Sequence, residues 1–483
     1  MISMAMPRQR ISAVVPALLF GTALLMLCVF SGLLAAVLPW WLVMALFVLP
    51  LVAILAIVAP ELGLAFLLLA LSGVLPQSVL PELPLGPGRI LASDLIIFAL
   101  VFLAAFKFRG GLGGISWLWF KPIFWLLFLS GLAIIVGKVL FGSPIKDVLQ
   151  EARVQINWMI APLVLLLIPN RRRLNRFSIG VVLVGLVIAT AVVFQFATGK
   201  QIIANARVEE LLTLNTRYTD VTRSTAGGGI YFVLFSLLYV LALLFMRRIS
   251  VFIAYPVALI LAAGIIVSFG RGIWIATAFA ALFMAYLLKG KSGLANVIVV
   301  LSIAVAAALV GLATFKPQTL EAAYERIVST TKEGQSNSSL GWRFEEAGFA
   351  FSKIASSPLL GIGYGTPYKP VMRLTGSEQD VALTRYIHNG YLGLWLKLGI
   401  AGLGVAVWLA WRTFRRGLTM TRQSEDPGMK ALAAALTAGF IVPVITSMTQ
   451  PEWLAPLGVA YFAMTLGLFC ALDRLRKATE VQS

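Results

Sequence analysis

Histidine is almost missing from this chain: one occurs in 483 residues, His388, and cysteine occurs only twice, as Cys28 and Cys470. Both cysteines sit in apolar runs, so neither a disulfide framework nor a Cys/His metal site can be assembled from them. Charge is scarce too. Asp, Glu, Lys and Arg make up 12% of the residues, and acids are the scarcer sign, 20 against 39 basic residues, for a formal charge of +19. No Asp-x-Asp pair, phosphate-cradling Gly-x-x-x-x-Gly-Lys loop or carboxylate cluster is found, which argues against a nucleotide-sugar site or a divalent-cation centre.

What fills the chain instead is hydrocarbon. Hydrophobic residues reach 60% and the mean hydropathy is +0.92, outside the range of soluble globular domains. At about 20 apolar residues per crossing, the length accommodates many transmembrane helices. Apolar runs predict spans at 11–38, 41–59, 62–76, 90–106, 118–140, 145–168, 178–198, 227–246, 250–269, 272–288, 293–315, 390–411, 431–447 and 453–471. The third is short and only Pro39-Trp40-Trp41 separates the first two, so the expectation is an all-α polytopic bundle of about 12–14 spans. The first run follows Arg8 and Arg10 and has no clear small-residue cleavage site, so it reads as a retained span.

Charge placement supports this count. With the N-terminus inside, 21 of the 39 basic residues fall in alternate, cytoplasmic segments, among them Arg171, Arg172, Arg173, Arg176, Arg247, Arg248, Arg412, Arg415, Arg416 and Arg474. Only five acids share those segments. That is the positive-inside pattern, with both termini cytoplasmic, and it accounts for most of the net charge without nucleic acid.

The outer side carries two longer loops, about 199–226 and 316–389. The second contains SSLGWRFEEAGFAFSKIASSP, an amphipathic helix with Ser338 or Ser339 as N-cap, ending before Pro358. Its apolar stripe suits the membrane surface or the ends of the spans. LLGIGYGTP follows, with glycines at 361, 363 and 365 placed for tight turns.

Ionisable residues near span ends are costly and therefore candidates for function. Arg271 lies in the outer turn SFGRGIW, and Arg217 and Arg223 lie in TRYTDVTRSTAGGG before the eighth span. Arg153 is in the outer half of the sixth span with Asp147, Glu151 and Asp94 as available partners; Arg343 opens the loop helix beside Glu345 and Glu346. Small neighbours leave Arg223 and Arg271 accessible, and arginine beside open backbone N–H groups suits a phosphate. His388, followed by Asn389, is the one side chain whose ordinary titration range allows proton transfer near neutrality. Together these suggest transfer at an anionic lipid head group, with arginines on a leaving diphosphate and a base for an incoming hydroxyl.

These residues resemble the bacterial O-antigen ligases and O-antigen or exopolysaccharide polymerases. His388-Asn389, nine residues, then Gly399-Ile400-Ala401-Gly402 fits that superfamily's His-(Asn/Ser/Gln)-x9-Gly-x-x-Gly pattern. GWRFEEAGFAFSKIASSPLLGIGYGT, SFGRG and GRILASDL are similar to other family segments, and Arg217 to Gly228 and Arg207 to Leu211 match two shorter spacings. The resemblance, running from about 200 to 450, implies a metal-independent inner-membrane glycosyltransferase without cofactor, working on the periplasmic face. Its donor would be an undecaprenyl-diphosphate-linked glycan and its acceptor lipid A core or a second lipid-linked glycan. His388 matches the catalytic histidine and Arg271 and Arg223 the diphosphate-binding positions, with Arg217 and Arg343 as further diphosphate candidates and Asn389 and Arg153 as other substrate contacts. The corresponding organisation is N-terminal spans in 1–198, central spans in 199–315 including the small loop 199–226, a large periplasmic loop at 316–389, and C-terminal spans and a tail in 390–483. The rival reading is a transporter or flippase of an anionic lipid or lipid-linked glycan. Such proteins commonly show inverted repeats and midplane polar features, and none is detectable here.

Overall fold

A computed structural model describes residues 58–75, 83–85, 88–107, 119–203, 208–212, 217–224, 226–315, 318, 320–321, 324, 339–370 and 383–480. The expected spans 11–38 and 41–59 lie almost entirely outside the described residues, and so do most of 316–338 and all of 371–382.

The helices, in chain order, are α1 (Pro60–Leu71), α2 (Ala92–Lys107), α3 (Lys121–Ile135), α4 (Ile145–Ala152), α5 (Ile160–Leu167), α6 (Arg171–Thr198), α7 (Ile230–Phe245), α8 (Val251–Ile266), α9 (Arg271–Phe315), α10 (Ser339–Ser356), α11 (Gly390–Gln423), α12 (Pro427–Thr446) and α13 (Pro456–Glu480). Among the described residues, Lys121–Leu140, Arg171–Thr198, Gly227–Phe245, Arg271–Ala295, Gly390–Gln423, Pro427–Thr446 and Pro456–Ala478 are long and apolar enough to cross a membrane. The fold is the expected all-α polytopic bundle.

Local chemistry sets the helix ends. The Asn170 side chain accepts from the Arg173 N–H at the start of α6, and Gly199 ends that helix in the left-handed region at φ 67°. Asp426 caps α12 through the Met429 N–H, with Pro427 in the first turn. The centre is formed by α7, α12 and α13, which bury Tyr231, Phe235, Leu436, Phe462 and Phe469. Small residues permit close approach where hydrocarbon solvent supplies little driving force. Gly264 faces Ala189, and a Cβ on Gly467 would stand 2.7 Å from the Ala161 carbonyl oxygen.

Three departures refine the predicted spans. The run 145–168 is helical to Leu167, but tightens into a 3₁₀ segment at Arg153–Met159 between α4 and α5. Here Asn157 donates to the Val154 carbonyl and the Trp158 indole to Gln155 Oε1, while the Gln155 Nε2 is buried without a partner. The predicted spans 272–288 and 293–315 form α9, whose one break is at Gly290 (φ 61°, ψ −143°). Helix α11 runs on to Gln423, beyond the expected 411, and in that extension Arg412 and Arg415 lie over the rings of Trp408 and Trp411 and Arg416 over Trp119.

Two short antiparallel hairpins add to the helices: β1 (Leu83–Leu85) with β2 (Gly88–Ile90), and β3 (Val208–Leu212) with β4 (Arg217–Ser224). The second occupies the expected small outer loop, where Tyr, Thr and Val in RYTDVTRS favour a pleated strand.

The charged loops sort by end of the bundle. Asp426 lies 2.6 Å from Arg171 and 3.8 Å from Arg248, three residues from loops that the charge pattern assigns to one side. His388, Glu452 and the hairpin end at Ser224 belong to loops assigned to the other side.

Candidate active site

Helix α10 is built with two faces. Glu346, Ala350 and Ile354 recur at helical spacing and are buried, packing against Leu392 and Leu396 of α11. Phe344 and Phe351 occupy a different, exposed stripe, and Phe351 meets Trp395 edge-on.

After α10 the chain passes through Pro358–Thr366 between α11 and α3. The Ile362 N–H donates to the Leu396 carbonyl (2.7 Å), the Ile400 N–H to that of Pro358 (3.1 Å) and the Tyr364 N–H to that of Ala133 (3.1 Å). Gly363 (φ 72°) lies against the Gly137 backbone and Gly399 (φ 71°) against the Leu359 carbonyl, where any Cβ would collide. The first glycine of the Gly-x-x-Gly pattern is thus a docking point for the glycine-rich loop.

This docking brings the loop's polar residues beside His388. The Glu346 Oε2 accepts the His388 backbone N–H at 2.9 Å and lies 2.9 Å from its Nδ1, while Oε1 accepts from the Lys369 ammonium. The Tyr386 ring stands edge-on to the imidazole with centroids 4.9 Å apart. Burial by itself would raise the Glu346 carboxyl, but the hydrogen bonds from His388 and Lys369 outweigh it and hold it at about 2. Tyr368 is pushed upward by burial and by the nearby Glu346 charge, and its hydroxyl donates to the Tyr386 carbonyl.

A second ionic cluster braces the same two segments. Lys397, buried in α11, donates to Glu151 Oε2 (3.0 Å) and to the Thr366 carbonyl (2.9 Å). Glu151 also accepts the Gly365 N–H (3.0 Å), and Arg385 lies 3.1 Å from Asp147 and 4.0 Å from Glu151. Near the start of α11, the Gly390 N–H donates to the Ser447 carbonyl. Close by, Glu452 is buried, accepts from the Tyr231 hydroxyl at 2.7 Å, and is raised by burial to about 7.

The residues singled out from sequence fall into groups. Asn389 caps α11, its side-chain oxygen accepting from the Leu392 N–H. The Arg153 Nε lies 3.5 Å from Asp94, one of the three partners its sequence context offered. Arg343 is half-buried on α10, one turn before Glu346, and Arg271 is half-buried as the first residue of α9. Arg217 and Arg223 lie on β4, opposite Leu212 and Glu209. The Ser224 N–H donates to the Val267 carbonyl (3.5 Å), which ties the strand bearing Arg223 to the segment before Arg271, and its hydroxyl accepts from Gln195 of α6.

Sequence reasoning missed Lys397, Arg385, Lys369 and the role of Glu346. Lys397 carried a readable signal, an ammonium inside an apolar span, whereas the others lie in a polar loop where nothing local separates Glu346 from the exposed Glu345.

Among curated proteins none matches this chain. Among solved structures, a chain from a peptidoglycan synthase complex that coordinates polymerization and crosslinking aligns over 100% of its own length and 77% of this one. Its identity is 15% and its TM-score 0.41, too low to support any argument. Residues 256–409, which include Arg271, Arg343, Glu346, His388 and Gly399, match the O-antigen ligase family. The similarity to that family is thus confined to this stretch of the 483-residue chain.

Proposed function

We propose that this protein is an inner-membrane, metal-independent glycosyltransferase that transfers or polymerises undecaprenyl-diphosphate-linked glycan on the periplasmic face. The observation that carries the reading is the placement of His388: the family's histidine is held by a buried carboxylate yet remains about a third exposed. It stands in a loop on the side to which the charge pattern also assigns Arg271, Arg223 and Arg217.

In this reaction the acceptor hydroxyl gives its proton to His388 as its oxygen bonds to the anomeric carbon of the donor. The bond from that carbon to the diphosphate oxygen breaks, and the electron pair leaves with the diphosphate. Arg271 and Arg223, with Arg217 and Arg343, offset the charge that develops there. Asn389, at the start of α11, and Arg153, in the 3₁₀ segment, are further substrate contacts. The acceptor is lipid A core in a ligase and a second lipid-linked glycan in a polymerase.

The test is transfer by purified protein in EDTA with lipid-linked donor and each acceptor supplied separately. Glycan transfer to one acceptor is expected, with losses of about 10²-fold or more for His388→Ala and Arg271→Ala. Full turnover by both variants, or a strict metal requirement, would remove the proposal. Donor crossing the bilayer without bond exchange would favour a flippase.

A further inference from the structure

We infer that Glu346 is the positioning residue that fixes the tautomer of His388, placing the proton on Nδ1 and turning the lone pair of Nε2 toward the acceptor hydroxyl. This rests on the transfer reading above and adds to it which ring nitrogen reacts and what holds it.

Glu346 Oε2 takes the His388 backbone N–H, and Oε1 takes the Lys369 ammonium. A carboxyl flanked by those two donors is held ionised and can only accept. The His388 Nδ1, 2.9 Å from the same Oε2, must therefore be the donor in that contact. In a neutral ring with hydrogen on Nδ1, Nε2 holds the lone pair.

The geometry supports the same assignment. The Glu346 side chain is 2% exposed and that of His388 32%, so the Nδ1 edge is turned to the protein interior. Among the described residues, Nε2 makes no hydrogen bond. Among the described residues, the charged and titratable groups facing the pair are Lys369 on the glycine-rich loop's continuation, Tyr368 beside it and Tyr386 against the ring. Lys369 keeps the buried carboxylate from being an isolated charge before the reaction. When the acceptor proton reaches Nε2, the imidazolium that forms stands directly against Glu346. The carboxylate thus stabilises the charged ring without touching substrate.

The chain has a single histidine, which permits a direct measurement. Untagged protein labelled with ¹⁵N-histidine gives one pair of imidazole nitrogen signals, observed at a pH where the ring is neutral. The expected spectrum shows a protonated Nδ1 and a lone-pair Nε2. The opposite tautomer in the wild-type protein would overturn the inference without any variant being made.

In a Glu346→Leu/Lys369→Met protein, which replaces the ion pair by apolar groups, the signals should move toward the Nε2–H form. Unchanged signals in a folded double variant would also overturn it. Glu346→Gln retains an accepting oxygen but removes the charge; its kcat should fall about 10²-fold with KM within about threefold. A loss confined to KM would count against a role in stabilising the imidazolium. If the spectra behave as stated while His388→Ala retains full transfer activity, the positioning contact stands and the catalytic reading fails, so the two are separable.

Discussion

Two buried carboxyls, Glu346 on α10 and Glu452 in the turn before α13, respond to burial in opposite ways. Glu346 has three donors around it and is held at about 2, so it stays a carboxylate throughout the working pH range. Glu452 has one donor, the Tyr231 hydroxyl, and its Oε2 is buried without a partner, so burial prevails and raises it from 4.5 to about 7. As pH rises between those two values, the unfolded chain releases this proton while the folded chain keeps it. Glu452 therefore favours the fold below that window and costs stability as pH rises through it, on the order of 3 kcal/mol in full. Glu452→Gln should melt several degrees above the wild-type protein at pH 8 and close to it at pH 5. An equal difference at both pH values in thermal unfolding would contradict this assignment. Neither behaviour could be read from sequence. WRFEEAGF and QPEWLAP show acids in similar settings, and the donors that separate them come from 42 and 221 residues away.

At the scale of elements, the glycine-rich loop acts as a wedge between α3 and α11, and its fit depends on backbone touching backbone. Gly363→Ala should cost about 1–3 kcal/mol from the positive φ alone, with more from the collision at Gly137. Gly404→Ala makes a suitable control, since it lies in α11 with open space around it and should be neutral or slightly stabilising. Equal melting temperatures for the two variants would show that the loop is not wedged as described. The glycines were visible in the sequence as turn formers, but the elements they touch were not, because the loop meets α11 across the intervening polar segment and α3 across more than half of the preceding chain. The β3–β4 hairpin was missed for a different reason. A chain dominated by apolar helices directs attention to span ends, and the alternation in RYTDVTRS is short and polar. Lys397 was missed within the motif itself, where the nine-residue gap between Asn389 and Gly399 was read as spacing rather than as side chains.

For the molecule as a whole, most of the +19 charge falls in the segments that the charge pattern assigns to one side. Arg171, Arg248 and Asp426 meet at one end, as loops sharing a side of the membrane should. Toward the other end the basic residues are embedded among acids: Lys397 and Arg385 with Glu151 and Asp147, Lys369 with Glu346, and Arg153 with Asp94. The sequence showed the first distribution clearly, because loop charge is a local property of the chain. It showed the second only as a list of arginines, since the pairing depends on which spans pack together. In the proposed reaction this braced, nearly neutral scaffold would present His388, and Arg217, Arg223 and Arg271 would meet the donor. The measurement that tests this most directly is glycan transfer by purified protein, comparing wild type with His388→Ala at matched folding. The account predicts product with the wild type in EDTA and a loss of about 10²-fold or more in the variant; product formation at the wild-type rate by folded His388→Ala would contradict it.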